Sequence, residues 1–367
     1  MRIIEVSSPS AYDRGLQYGR AAADLVAASI DYYRAAFEQQ LGRTWTEVQT
    51  LSAPWERLIG TDFPELYEEM RGIAAGAGVA VREIVVLNCR GEIVYDAAVY
   101  RKTTDEIPDG CTSFSLTGDA AADGHVYTGQ NWDWRHAARN TVVVLRVVQP
   151  PKPTIIIQTE AGQIGRHGAS SNGFALNANG LGGRFDETVG VPQTVIRRLV
   201  LDSTTISDAL KVLIRTKAHI ASNALLTDRS GFSIDLETTP GAHGWEYPAA
   251  DGLLVHGNHY QAFVPPQLAA RHRPMSPDSL LRVPQARKGL KEAARSADVP
   301  KAVRSAMSDH LGQPDSLCAH PDDRLAPLSQ WSTVLSSLVD LTTGDYRVAA
   351  GTPCEHDYEL VPFNLYD

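Results

Sequence analysis

"IPDGCTSFSL", residues 107–116, divides the chain into two textures. Upstream the periodicity is helical. Residues 10–41 place Leu16, Tyr18, Ala22, Leu25, Val26, Ile30 and Tyr33 at roughly helical spacing, which predicts one long amphipathic helix. Further helices are expected near 64–77, with Thr61 or Asp62 as a cap ahead of Pro64, and near 81–96. The polar stretch "YRKTTDEIPDG" (100–110) reads as a linker punctuated by Pro108 and Gly110. After Cys111 come short β-like runs, "TSFSLT", "HVYTGQNWDW", "TVVVLRVV", "TIIIQTE" and "GFALNANG", separated by turn signals such as "ADGH" and "QPPKP". Two helices follow, at about 192–202 and 206–217. "SNALLTD" and "GFSIDLETT" form a hairpin around "DRSG", with strands at 244–248 and 253–257. Segment 265–300 reads as loop plus helix, and "STVLSSLVDLT" and "DYRVAAG" as two last strands. This order predicts an α+β protein of antiparallel sheets with helices on their outer faces.

Composition narrows the function classes. The chain has 367 residues, 43% of them hydrophobic, and a net charge of −9. A nucleic acid or an anionic membrane needs a basic face, so neither is expected as a partner. No apolar run reaches the ~20 residues of a membrane helix. "MRIIEVSSPS" lacks the pattern of a signal peptide. Four cysteines in so long a chain do not make a disulfide framework, and a reducing, cytoplasmic setting is expected.

A mid-chain cysteine is ordinarily a small buried hydrophobe. Cys111 follows a glycine, and that context allows more. A cysteine thiol can attack the carbonyl of the preceding residue in an N→S acyl shift. Glycine there has no Cβ to block the approach and tolerates strained backbone. Hydrolysis of the thioester leaves a chain that begins at Cys111, with an α-amine titrating near ~8 beside the thiol. That amine can serve as general base at neutral pH, so nucleophile and base belong to one residue. The chemistry also needs a carboxylate for the ammonium and amide donors for an oxyanion. Asp133 in "GQNWDW", Asn177 in "NGFALNANG" and Asn258 in "LLVHGNHY" are the candidates.

"DGCTSF", "GQNWDW", "SNGFALNANGL" and "HGNHY", in that order, resemble the acyl-coenzyme A:6-aminopenicillanate acyltransferase (isopenicillin N acyltransferase) family of N-terminal nucleophile hydrolases. "RGLQYGRAAA", "SLCAHPDD" and "STVLSSLVDLTTGDYRVAAGTPCE" also look like it. The resemblance implies a four-layer αββα sandwich with a helical N-terminal segment. It implies self-cleavage between Gly110 and Cys111 into chains 1–110 and 111–367, held together as a heterodimer within one globule. It implies hydrolysis or transfer at the amide or thioester of a small acylated molecule, with an acyl-CoA as a possible donor and no cofactor or metal. By position Cys111 is the nucleophile, Asp133 contacts the new amine and Asn258 holds the oxyanion. Asn177 corresponds to an asparagine of the more distant bile-salt hydrolases. Those relatives carry arginine where this chain has Gln130, which speaks against bile-salt or penicillin V specificity. Arg324 and Arg347 are candidates for a C-terminal arginine that some relatives use.

Other readings compete. His256 and His259 flank Asn258 and suggest a cysteine peptidase with a His259 base. "CAH" (318–320) and "CEH" (354–356) could together supply four zinc ligands of a zinc-stabilised binding protein, although the two pairs lie far apart in sequence. Trp132, Trp134 and Cys89 read as packing residues, and "GLGGR" (180–184) as a loop beside the pocket.

Overall fold

A computed structural model describes the chain except residues 96–109, 184, 186, 187, 270–272 and 275. Most of the expected linker therefore lies outside the described residues. Two sheets carry the fold. The larger has eight strands in the order β1 (Arg2–Ser7), β4 (Val142–Val148), β5 (Ile155–Glu160), β6 (His167–Ser170), β7 (Phe174–Asn177), β8 (Ser222–Asp228), β9 (Ser233–Thr238) and β10 (His243–Glu246). The smaller has six, in the order β11 (Leu253–His256), β2 (Gly110–Leu116), β3 (Tyr127–Arg135), β12 (Trp331–Asp340), β13 (Asp345–Ala349) and β14 (Glu359–Leu360).

Alternation along the strands assigns the layers. Val143, Leu145 and Val147 of β4 join the core with the N-terminal helices, while Val142 and Val144 face the second sheet. Both faces of this strand are covered, which is why "TVVVLRVV" runs almost unbroken in apolar residues. In the smaller sheet, Phe114 and Leu116 pack with α10 (Ser279–Ala293) and α11 (Val299–Met307), whereas Cys111 belongs to the layer between the sheets. That layer is partly polar: Ser113 Oγ donates to Asn179 Oδ1 at 2.7 Å, and Gln158 Nε2 donates to Ser337 Oγ at 3.2 Å. The order is helix, sheet, sheet, helix, the αββα sandwich expected.

The N-terminal segment departs from the expectation in three places. "RIIEVS" forms β1, which pairs in parallel with β4 through Arg2↔Val143 to Ser7↔Val148. The long helix over 10–41 breaks at Ala22 into α1 (Ala11–Ala21) and α2 (Ala23–Leu41). Two helices not anticipated follow: α3 (Trp45–Leu51), opened by a Thr44/Glu47 capping box, and α4 (Ala53–Asp62), with proline in its first turn. The break at Ala22 lets α1 lie against α5 (Pro64–Ala77) with backbones nearly touching. A Cβ on Gly15 would stand 2.0 Å from Glu69 O, and one on Gly72 2.1 Å from Tyr12 O. Downstream, the segment 265–300 read as loop plus helix supplies α10, which accommodates Pro284, and α11, not anticipated, starts at its end.

Candidate active site

The turn around "ADGH" folds β3 back along β2. Gly110 stands opposite Asp133 and Cys111 opposite Trp132. A separation of 22 residues thus becomes a cross-strand contact, as the spacing predicts. Cys111 is buried at the start of its strand. Asp133 Oδ1 accepts from Thr333 Oγ1 at 2.6 Å, and Thr333 Oγ1 in turn accepts from the Ala319 backbone N–H at 3.0 Å. The second carboxylate oxygen lies against Gly110. A Cβ there would be 3.0 Å from Asp133 Cβ and 3.3 Å from Oδ2. A side chain at 110 would therefore crowd Asp133, which would have to give by a few tenths of an ångström. On the self-cleavage that the family resemblance implies, Gly110→Ala is expected to keep the fold and slow separation of the Gly110–Cys111 bond at least about tenfold, since overpacking typically costs ~1–3 kcal/mol. The half-time of precursor conversion after synthesis measures this.

Asn258 follows β11, which pairs with β2 through Val255↔Phe114 and His256↔Ser113. Its backbone N–H donates to Ser279 Oγ at 2.7 Å, which fixes the turn. Its Oδ1 accepts from the Cys111 N–H at 2.8 Å, and its Nδ2 donates to Gly180 O at 3.0 Å. The side chain thus presents its oxygen to the Cys111 backbone nitrogen. Its Nδ2, the group expected to hold an oxyanion, gives one of its two hydrogens to Gly180 O.

Arg282, on α10, completes the arrangement and was not foreseen. Its guanidinium donates to Cys111 O and Thr112 Oγ1, each at 2.7 Å, to Asn258 Oδ1 at 2.9 Å and to Asp278 at 2.6 Å. It is 1% exposed. Burial alone would lower its pKa, but Asp278 and Asp133 outweigh that and raise it, so the charge is kept. A charged fork at this point fixes the Cys111 backbone and adds positive potential beside the thiol. The arginines expected for such a role lie elsewhere: exposed Arg324 pairs with Asp322, and Arg347 with Asp345.

Asn177 is placed differently from the expectation. Its Nδ2 donates to Thr128 Oγ1 at 2.8 Å, and Thr128 stands opposite Ser115, four residues along β2 from Cys111. The chain leaves the sheet at Asn177, and the asparagine that reaches β2, two residues from Cys111, is Asn179. Its Oδ1 takes the Ser113 hydroxyl, its backbone N–H is held by Asn223, and its buried Nδ2 has no hydrogen-bond partner among the described residues. A buried amide donor left over beside the strand of Cys111 suits a transient negative charge.

The histidines turn to other partners. His259 Nδ1 bonds Ser279 Oγ at 2.8 Å. His256 is buried, with Nε2 3.0 Å from Glu237 Oε1 and 3.6 Å from Asp235 Oδ1. Burial alone would lower its pKa, but Asp235 and Glu237 reverse this and push it up to about 9. Burial pushes Asp235 up to about 6. His256 is therefore raised above its unfolded value of ~6.5, and its contribution is full below that value and lost as pH climbs through about 9. Stability is expected to fall between pH 7 and 10 by on the order of 3 kcal/mol, at 1.36 kcal/mol per pKa unit. Denaturant midpoints across that range check it, and His256→Gln should flatten the slope.

A pocket opens beside the site, and Gly180, whose carbonyl holds Asn258, is part of its wall together with Gly182 and Gly183. Tyr32, Tyr33 and Phe37 give it an aromatic side, and Arg90, Arg166 and Arg197 bring positive charge. Arg90 is bonded to Glu160 and lies over the Trp134 ring at 4.2 Å, and Arg166 lies over Trp132 at 4.0 Å. In a chain of net charge −9, the pocket gathers these arginines, with Glu160 paired to Arg90 and Glu92 also in the lining. Among the described residues, no helix is long and apolar enough to cross a membrane.

Known proteins align with the chain in structure and in sequence. The "Structure of Penicillin V acylase from Agrobacterium tumefaciens" aligns with a TM-score of 0.44 at 17% identity, over 65% of this chain and 83% of that one. A Caenorhabditis elegans N-acylethanolamine-hydrolyzing acid amidase ortholog aligns with a TM-score of 0.43 at 14% identity, over 63% and 93%. In sequence, an acyl-coenzyme A:6-aminopenicillanic-acid-acyltransferase 40 kDa form from Emericella nidulans is 32% identical over 246 residues. That match covers 67% of this chain, and it spans 66% of the relative's length. Residues 120–353 match the family model described as acyl-coenzyme A:6-aminopenicillanic acid acyl-transferase, which takes in Asp133, Asn258 and Arg282. With that model spanning well over half of its length, the chain belongs to the acyl-coenzyme A:6-aminopenicillanic acid acyl-transferase family.

Proposed function

We propose that this protein is a self-cleaving amidohydrolase or acyltransferase whose nucleophile is the N-terminal cysteine it creates. In the first reaction the Cys111 sulfur attacks the Gly110 carbonyl. The C–N bond breaks, the nitrogen takes a proton, and a thioester to Gly110 forms. Water then releases the Gly110 carboxylate and the free thiol. In the mature enzyme the chains 1–110 and 111–367 stay together, since β1 of the first pairs with β4 of the second. The Cys111 thiol gives its proton to its own α-amine and attacks the substrate acyl carbon. The α-ammonium protonates the leaving amine (or thiol), and water or another amine resolves the acyl-enzyme.

The observation that carries this reading is the set of contacts around one peptide bond. Asn258 Oδ1 holds the Cys111 nitrogen, Asp133 lies against Gly110, and Arg282 anchors the Cys111 carbonyl. A structural thiol requires none of these. Asp133 and Asn258 would hold and orient the α-amine, and Asn179 Nδ2 would donate to the oxyanion, with the Asn258 amide as a second donor after release from Gly180. Family membership supports the acyl chemistry, and a cytoplasmic setting accords with four free cysteines. The pocket favours an acyl group packed on Tyr32, Tyr33 and Phe37 and an anionic group facing the arginines. An acyl-CoA would meet both needs as a donor.

A panel of acyl amides and acyl thioesters, with and without a carboxylate, tests this by mass spectrometry of the quenched enzyme. Acyl adducts on the peptide beginning at Cys111, stronger with anionic members, are expected. Turnover with adducts only at another residue would overturn the assignment.

A further inference from the structure

The two Cys-x-His pairs noted in the sequence meet in space, though with a different set of ligands. Loop 309–320 brings Cys318 and His320 to Cys354, and His310 of the same loop closes the group. Cys318 Sγ is 3.5 Å from Cys354 Sγ and 3.7 Å from His320 Nε2. Cys354 Sγ is 3.3 Å from His320 Nε2, and the two imidazole Nε2 atoms are 3.1 Å apart. All four ligand atoms lie within 4.8 Å of one another. His356 is not among them. Its ring packs on Gly351 instead, and its backbone oxygen accepts from Arg304.

We propose that His310, Cys318, His320 and Cys354 form a structural zinc site. With Zn–S near ~2.3 Å and Zn–N near ~2.0–2.1 Å, a tetrahedral zinc sets ligand–ligand edges of about 3.3–3.8 Å, and the four contacts of 3.1, 3.3, 3.5 and 3.7 Å lie close to that range. Two thiols and two imidazoles form a soft-to-borderline donor set that selects zinc over calcium or magnesium. On binding, the two thiols release their protons to solvent and the histidines coordinate as neutral rings. The four protein ligands fill a tetrahedron and leave no open position, so the site is structural and not catalytic.

The backbone holds the ligands in place without the metal. Cys318 N–H donates to Asp309 O at 3.0 Å and His320 N–H to Pro314 O at 3.1 Å, which closes the loop on itself. Asn131 Nδ2 donates to Met307 O and Leu317 O, tying the loop to β3. Preformed loops of this kind reduce the ordering cost of binding. The site also connects to Asp133. Ala319, between two ligands, donates its N–H to Thr333, and Thr333 donates to the Asp133 carboxylate. Zinc at this point would fix the loop that orients that carboxylate. The proposal does not depend on the self-cleavage chemistry, because the cluster stands whether or not Cys111 is the nucleophile.

The test uses the untagged full chain, produced in zinc-supplemented medium and passed through gel filtration with a mild chelator. Elemental analysis should give about one zinc per chain. His310→Gln, at an exposed ligand whose loss leaves the fold intact, and Cys354→Ser should each lower zinc content at least about tenfold, while His356→Gln retains it. Cobalt(II) added to apoprotein should show thiolate-to-metal charge transfer in the wild type and lose it in Cys354→Ser. Wild-type protein that stays metal-free after zinc exposure would overturn the site. So would zinc content unchanged in both ligand variants, or a Cys318–Cys354 disulfide found in freshly isolated protein.

Discussion

Cys111→Ala should be recovered as one intact chain, folded like the wild type and with turnover reduced by about 10⁴-fold or more, the scale on which loss of a nucleophile acts. The fold should survive because Cys111 is one small side chain in a layer otherwise filled by Trp132, Val142, Val144 and Ile156. The cost in stability should stay near the lower end for a large-to-small core change, about 1–2 kcal/mol. Two effects then coincide in one variant: the bond at Gly110 is not cut, and no thioester forms with substrate. Cys111→Ser separates them, since a hydroxyl can still attack but is the weaker nucleophile. Slow conversion with little amide turnover is its expected result.

Asp133→Asn is the second large effect. It keeps the shape of the side chain and removes its charge. One side-chain atom can still meet the Thr333 hydroxyl, so the strand pairing should hold. What is lost is the negative charge beside Gly110 and the nucleophile's nitrogen. An unpaired ammonium in a buried site is disfavoured, so the α-amine would no longer cycle between its two forms at the required pKa. The expected loss in kcat is about 10²–10⁴-fold with KM changed little, the range in which general acid–base groups contribute. Arg282 keeps Asp278 as its ion-pair partner, so the thermal midpoint should move by only a few degrees. Steady-state kinetics on the purified variant decide the matter. A kcat within threefold of wild type would remove Asp133 from the chemistry.

The parts of the site that the sequence displays are those whose geometry is local. Cys111 and Asp133 sit on neighbouring strands joined by a short turn, so their register follows from pairing alone. The α+β order of antiparallel sheets covered by helices follows from the change of periodicity at residue 110, whereas the four-layer αββα arrangement is what the family resemblance implies. Arg282 carries no such signal. It is one of several arginines in a segment with Pro284, and only the packing of α10 against β2 and β11 buries it. The shift from Asn177 to Asn179 has a similar origin. Both belong to one motif, and the point where the chain leaves β7 decides which of them approaches β2. Strand β1 has a short alternating pattern, and its partner β4 lies more than a hundred residues away. The four-residue metal cluster joins His310 to Cys354 across two loops, so no spacing rule could separate it from the "CEH" pair that contains His356.

Intact-mass measurement of the denatured wild-type protein tests the central claim most directly. The full chain is 39.9 kDa. Two species corresponding to residues 1–110 and 111–367 are expected, co-eluting before denaturation, with the larger beginning at Cys111 by N-terminal sequencing. A single 39.9 kDa chain with full amide-cleaving activity would contradict the account.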